Sequence, residues 1–98
     1  MTITKRADGS NLSVFLDGRL DTTTAPQLEE ELKASLPGVT NLVIDMEHLA
    51  YISSAGLRVL LAAQKIMYKQ GEMVVRNANE DILEVFDVTG FADVLTIE

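Results

Sequence analysis

The sequence predicts an α/β fold: a single domain built on a mixed, largely parallel sheet of about five strands. Strand-like and helix-like segments alternate in the order β-β-α-β-α-β-α-β, which is typical of strands joined by right-handed helical crossovers. The first two strand segments are separated only by a short turn, which predicts a hairpin. A later strand segment is a short continuous apolar run, as expected inside a parallel sheet. The 98 residues suit one domain covering 1–98.

The chain begins with a predicted β-hairpin. Residues 1–6 and 12–16 alternate between apolar and polar side chains, and Asp8-Gly9 between them has the composition of a tight turn. The second strand is predicted to end before Gly18.

The first helix is predicted over Ala25–Leu36. Thr24-Ala25-Pro26-Gln27 has the pattern of a capping box with proline in the first turn, and Pro37-Gly38 closes the segment. The buried stripe of this helix is predicted to contain Ala25, Leu28, Leu32 and Leu36.

The next strand is predicted at the centre of the sheet. Leu42-Val43-Ile44 is an apolar run without alternation, which indicates a strand covered on both faces. A helix over Ser54–Gln70 follows, and its wide apolar arc predicts deep burial before Gly71 ends it.

The remaining elements are shorter. Met73-Val74-Val75 predicts another buried strand, Asn79 is placed to cap a third helix, and Val94–Ile97 predicts the last strand. No repeat or linker interrupts the chain.

Composition excludes several classes of function. The net charge is −7 and no basic stripe is present, which argues against nucleic acid as a partner and favours basic partners. The chain has no cysteine, and no apolar segment suits a signal peptide or a membrane span, so we expect a cytoplasmic protein without membrane insertion. A lone His48 among scattered carboxylates predicts no metal site, and no phosphate-binding glycine loop is present, so no cofactor is expected.

The chemistry of the chain is concentrated in Asp45–Leu57, which leads from the predicted end of the central strand into the buried helix. Ser53 and Ser54 lie where the N–H groups of a new helix lack partners. A hydroxyl there can cap the helix, and a phosphate attached to it would be stabilised by the helix dipole. Gly56 permits either tight packing of helix on sheet or the close approach of another chain.

Three segments resemble the STAS domain family, and in particular bacterial anti-sigma-factor antagonists. They are Asp45-Met46 with Tyr51–Leu57, Leu20–Ala25 before the first helix, and Val85–Phe91 near the end of the chain. Together they cover nearly the whole sequence at the spacing of the family, and the fold of the family agrees with the element order above.

The resemblance implies a phosphorylation site at Ser54, two residues before Gly56. Ser53 is the competing acceptor, because the family often has an acidic residue at that position. The implied partners are an anti-sigma factor that is also a serine kinase, which binds the unphosphorylated protein, and a serine phosphatase that resets it. Phosphorylation is expected to prevent binding by local repulsion and steric exclusion, with little refolding.

The resemblance also implies a partner-binding surface around the serines. For Asp21 and Asp45 a purely structural role is an equal alternative, and Arg58 is either a partner contact or a solvated helix residue. The expected partner-binding residues are Asp21, Thr22, Asp45, Ser53, Ser54, Ala55, Gly56 and Arg58.

Two other functions are alternatives for this sequence. A STAS domain can also be a docking or scaffold subunit of a signalling assembly or a membrane transporter, without a phosphorylation switch. A hydrolase with a serine nucleophile and His48 as base is not expected, because no G-x-S-x-G motif surrounds either serine. We therefore predict that the protein is not an enzyme.

Overall fold

The computed structural model describes residues 1–98 as one five-stranded sheet with three α-helices. A short 3₁₀ turn, Phe91–Asp93, separates the last helix from the last strand. The elements are β1 (Thr2–Asp8), β2 (Asn11–Leu20), α1 (Ala25–Ser35), β3 (Asn41–Ile52), α2 (Ser54–Gln70), β4 (Glu72–Arg76), α3 (Glu80–Thr89) and β5 (Thr96–Ile97). None of the helices combines the length and the apolar character needed to cross a membrane.

The topology of the sheet confirms the predicted fold class. The strands are ordered β1-β2-β3-β4-β5; β1 is antiparallel to β2 and every other neighbouring pair is parallel. The strand that contains Leu42–Ile44 is central, as predicted.

The prediction that this central strand is covered on both faces is wrong. Leu42 and Ile44 belong to a single core of 24 buried side chains, whereas Val43 between them is half-buried. On β2 and β4 the residues beside it, Ser13 and Val74, are also half-buried. Each parallel connection leads to the neighbouring strand and always moves across the sheet in the same direction. Because all these crossovers have the same hand, they place all the helices on one face of the sheet. The strand order, which the sequence does not reveal, therefore leaves the other face open.

β3 is longer than predicted, because two bulges interrupt the alternation of buried and exposed residues in its second half. It continues to Ile52, and its pairing with β2 shifts by one residue after Phe15 and again after Gly18. Each shift adds a residue to β3, so the spacing between buried residues lengthens from two to three. The buried residues of β3 are Leu42, Ile44, Met46, Leu49 and Ile52. Asp45 therefore lies within the strand and does not end it.

β2 also extends beyond its predicted end. Gly18 has a φ of 114°, a backbone conformation that favours glycine, and the strand passes through it to Leu20. This glycine lies beside the second bulge, where the strand pairing is irregular.

The last elements agree with the sequence prediction except for the length of the final strand. The Asn79 side chain caps α3 by accepting a hydrogen bond from the N–H of Ile82 at 2.8 Å, and Gly90 ends the helix with a φ of 81°. Residues 91–93 form the 3₁₀ turn, so the final strand is limited to Thr96–Ile97.

Candidate functional site

The N-terminus of α2 is fixed by the ends of β2 and β3. Leu20 pairs with Ile52 in the last position of the two strands, and the N–H of Ser53 donates to the carbonyl of Leu20 at 2.9 Å. Asp21 and Ser53 therefore leave the sheet side by side. This places the loop before α1 next to the start of α2.

The two serines have different roles. Ser53 is the N-cap of α2: its backbone is extended and its hydroxyl accepts a hydrogen bond from the N–H of Gly56 at 3.3 Å. Ser54 is the first residue of the helix; it is exposed, and its hydroxyl forms no hydrogen bond within the chain. Ser53 therefore has the capping role that the sequence allowed for either serine. The hydroxyl of Ser54 is left exposed and without a hydrogen bond in the chain.

Gly56 is explained by packing inside the protein. It is buried, and a Cβ atom at this position would lie 2.7 Å from Cγ of Leu20 and 3.0 Å from Cγ1 of Ile52. A glycine is thus required for the first turn of α2 to lie on the ends of β2 and β3. Gly56 contributes to the site by bringing the helix onto the sheet, and its contact with a partner stays a prediction.

Asp21 organises the loop before α1. Its Oδ1 accepts hydrogen bonds from the N–H of Thr23 at 3.0 Å, the hydroxyl of Thr23 at 2.7 Å and the N–H of Thr24 at 3.1 Å. The hydroxyl of Thr23, followed by the backbone donors, lowers the pKa of Asp21 against a smaller opposing effect of desolvation.

The predicted capping box at Thr24 is wrong. Thr24 does occupy the N-cap position, but its hydroxyl donates to the carbonyl of Arg19 at 2.7 Å and accepts from the N–H of Asp21 at 2.8 Å. The N–H of Gln27, which a capping threonine would satisfy, donates to the backbone carbonyl of Thr24 at 3.0 Å instead. The bonds of the Thr24 hydroxyl to Arg19 and Asp21, which the spacing rule does not consider, explain the difference.

A groove runs between the first turns of α1 and α2. It has a volume of about 460 Å³ and brings together three of the predicted partner-binding residues, Thr22, Ala55 and Arg58. Glu29 and Glu30 of α1 line the opposite side. Arg58 is exposed and has no ion-pair partner in the chain.

Asp45 does not join this site. It lies eight residues before Ser53 on β3, a distance of roughly 20 to 25 Å along an extended strand. Its oxygens accept hydrogen bonds from the N–H of Glu47 at 2.9 Å and the side-chain amide of Asn77 at 3.1 Å. Asn77 has a φ of 63°, so Asp45 stabilises a constrained turn after β4, and its expected role as a partner contact near Ser54 is corrected.

One feature of the site is not indicated by the sequence. The guanidinium of Arg19 lies 4.3 Å from the centre of the Tyr51 ring, and its Nε is 3.8 Å from Oδ2 of Asp21. Arg19 and Tyr51 pair across β2 and β3. Only the register that follows the second bulge brings them together, so no local pattern in the sequence indicated the contact.

The geometry gives no support for hydrolase chemistry. His48 is exposed on β3, about 15 Å before Ser53 along the strand, and neither serine forms a hydrogen bond with it. No group of three or more His, Asp and Glu side chains is arranged to hold a metal ion.

Comparison with protein families identifies the fold. The family model described as STAS domain matches residues 2–98. This chain belongs to the STAS domain family. Among characterised sequences, BtrV of Bordetella bronchiseptica, a candidate anti-sigma factor antagonist, is 40% identical over 88 residues, covering 88% of this chain and 76% of that protein. The anti-sigma-B factor antagonist of Listeria monocytogenes is 30% identical over 97 residues, covering 96% and 84%.

Solved structures share the architecture of this STAS domain. An anti-sigma factor antagonist from Mycobacterium paratuberculosis superposes with a TM-score of 0.89 at 24% identity, covering 98% of this chain and 83% of that one. The Bacillus cell fate determinant SpoIIAA in its phosphorylated form gives 0.77 at 17% identity, covering 99% and 91%. At these identities the likeness establishes the fold.

The two serines are predicted to differ in their effect on stability. Ser53→Ala removes the N-cap of α2 and should lower the free energy of unfolding by about 1 kcal/mol, and hence Tm by roughly 4 to 8 °C. Ser54→Ala removes a solvent-exposed hydroxyl and should change stability by less than about 0.5 kcal/mol. Urea unfolding of the two variants side by side measures the difference. Equal losses, or a larger loss for Ser54→Ala, would show that the capping assignment is wrong.

Asp21 is predicted to stabilise the STAS domain only while it is charged. Because its pKa is lower when folded, its contribution is complete above the ordinary value of 3.8 and disappears as the pH falls through the folded pKa. Asp21→Ala should therefore be less stable than the natural protein at pH 7, with the difference shrinking below about pH 4. Urea unfolding across this pH range measures it.

Thr23→Val provides the matched control for Asp21. It keeps the carboxylate but removes the hydroxyl that lowers the pKa most, so the pKa of Asp21 should rise toward its ordinary value. An NMR titration of the Asp21 carboxyl carbon checks this directly. An unchanged pKa in this variant would contradict the assigned cause.

Proposed function

We propose that this STAS domain is an anti-sigma-factor antagonist that phosphorylation of Ser54 switches off. The exposed hydroxyl of Ser54, left free because Ser53 caps α2, is the observation that carries the proposal. The names of the relatives support the class of function, and the phosphorylated form of SpoIIAA gives a precedent within the fold.

The proposed binding partner is an anti-sigma factor with serine kinase activity. In the unmodified state it would contact Ser54 and the groove residues Thr22, Ala55 and Arg58. The net charge of −7 favours a basic surface on the partner. Around the groove itself the charges are mixed, because Glu29 and Glu30 share it with Lys33 and Arg58, and Arg19 lies beside Asp21. Binding would withdraw the anti-sigma factor from its sigma factor, in the cytoplasm where transcription occurs.

The covalent step is a phosphoryl transfer from ATP bound to the partner. The Ser54 Oγ forms a bond to the γ-phosphorus, the bond from that phosphorus to the bridging oxygen of ADP breaks, and the hydroxyl proton passes to a base of the kinase. The STAS domain supplies only the acceptor, so it is not an enzyme in this scheme. A serine phosphatase would hydrolyse the phosphoserine and restore binding.

The phosphate is expected to act at short range. It adds about −1.5 to −2 charges, which by itself would strengthen attraction to a basic partner. Exclusion of the partner therefore depends on two effects. The phosphate is bulky at the point where Ser54 contacts the kinase, and it is repelled by the phosphates of the ADP that remains bound to the kinase. Within the STAS domain the N-terminus of α2 stabilises the phosphate, so no refolding is required.

Ser54 is predicted to be the only residue that the kinase modifies. The experiment incubates the protein with ATP, Mg²⁺ and each candidate serine-kinase anti-sigma factor from its own cell, followed by peptide mass spectrometry. We expect one phosphate on Ser54 in the natural protein and in Ser53→Ala, and none in Ser54→Ala. A control without ATP establishes that the phosphate is new.

Two results would count against the proposal. A phosphate on Ser53 that persists in Ser54→Ala would reassign the acceptor. Stable complexes with a partner that never phosphorylates the protein would favour the docking or scaffold role, in which the same end of α2 binds without a switch.

A further inference from the structure

The C-terminal segment 77–98 carries most of the net charge of the protein. It contains six acidic side chains and no Lys or Arg, whereas residues 1–76 contain nine acidic and eight basic side chains. The acidic residues of the segment are Glu80, Asp81, Glu84, Asp87, Asp93 and Glu98.

The same segment exposes most of the large apolar side chains that the fold leaves in water. Five such side chains are exposed in the whole protein, and three are in or just after α3: Leu83 (39%), Val88 (79%) and Val94 (48%). Single exposed apolar residues are ordinary on a protein surface. Three of the five lie within twelve residues, so this acidic segment has the highest concentration of exposed large apolar side chains in the chain.

The fold itself does not account for this combination. Glu80 and Asp81 lie in the first turn of α3, where the helix dipole favours negative charge. Glu84 and Asp87 have no ion-pair partner, and Asp87 lies in the last turn, where the dipole disfavours it and no basic residue compensates. Of the six carboxylates only Glu98 is paired, with Arg76 at 2.7 Å.

The outer side of α3 has a shape that another helix can occupy. A shallow groove of about 340 Å³ runs along it, lined by Asp81, Glu84, Val85, Val88 and Thr89. These positions are three to four residues apart, so apolar contact and negative charge share one side of the helix.

We propose that the α3 face, formed by residues 80–94, binds a basic amphipathic helix of a partner protein. Leu or similar side chains of that helix would lie in the groove against Val85 and Val88, and its Lys or Arg side chains would pair with Asp81 and Glu84, which line the same groove. The proposal is independent of Ser54, whose site is at the N-terminus of α2.

Charge excludes the other occupants of the α3 face. A second copy in face-to-face contact would bring together two segments that each have a charge of −6. A membrane with anionic lipids and a nucleic acid would both be repelled. A positively charged protein segment that also has apolar side chains matches both the negative charge and the exposed apolar side chains of the α3 face.

The test uses a synthetic 15-residue amphipathic helix made of Leu and Lys as the probe. It is titrated into the ¹⁵N-labelled full-length protein, and backbone NMR shifts are followed. A peptide of the same composition with its Leu and Lys shuffled so that no face is apolar is the control. We expect saturable shifts confined to residues 80–94, and binding at least about tenfold weaker for the shuffled peptide.

Variants at exposed acidic positions separate the α3 face from general electrostatic attraction. Val88→Ser, and separately Glu84→Lys, should each weaken binding about fivefold or more. Asp17→Lys, which makes the same change of charge at an exposed position on β2, should leave it within about twofold. All substituted positions are exposed, so the variants are expected to fold.

Three results would overturn the proposal. The first is the absence of binding. The second is a set of shifts spread over α1 and other acidic surfaces, with Asp17→Lys as damaging as Glu84→Lys. The third is a shift at residues 80–94 that depends on protein concentration without peptide, which would show that a second copy occupies the face.

Discussion

The pairing of β2 with β3 is the constraint on which the candidate site depends. The two strands begin in simple register, pass two bulges, and end together at Leu20 and Ile52. Because the last pair is in register, the loop before α1 and the start of α2 emerge next to each other, held by the hydrogen bond from Ser53 to Leu20. Gly56 then lets the first turn of α2 lie directly on these strand ends.

In this arrangement the two neighbouring serines have different roles. The Ser53 side chain satisfies the N–H of Gly56 and so stabilises the fold, whereas the Ser54 side chain forms no hydrogen bond within the chain. A residue that the fold does not need can be modified without disturbing the fold. The helix N-terminus also favours the charge of a phosphate, so a modification there changes the surface while the core stays intact.

The sequence predicted the elements well where their patterns are regular. The bounds of α2 and the N-cap of α3 followed from apolar periodicity and from Asn79. It failed where tertiary context decides: the bulges removed the alternation of β3, the Thr24 hydroxyl bonded to Arg19 and Asp21 instead of capping α1, and the strand order left one sheet face open. The site was predicted through resemblance to the family. Asp45 lies away from Ser54 and bonds to Asn77, Gly56 packs α2 onto the strand ends, and the contact of Arg19 with Tyr51 depends on the register after a bulge.

The most direct test of the account measures stability and partner affinity on the same protein with phosphoserine placed at position 54 during synthesis. We predict that its free energy of unfolding equals or exceeds that of the unmodified protein by up to about 1 kcal/mol, while its affinity for the kinase anti-sigma factor falls at least about 30-fold. Ser54→Ala should retain the affinity of the natural protein within a few-fold. Unchanged affinity, or a loss of affinity that accompanies unfolding of the domain, would contradict a local switch on an intact helix N-terminus.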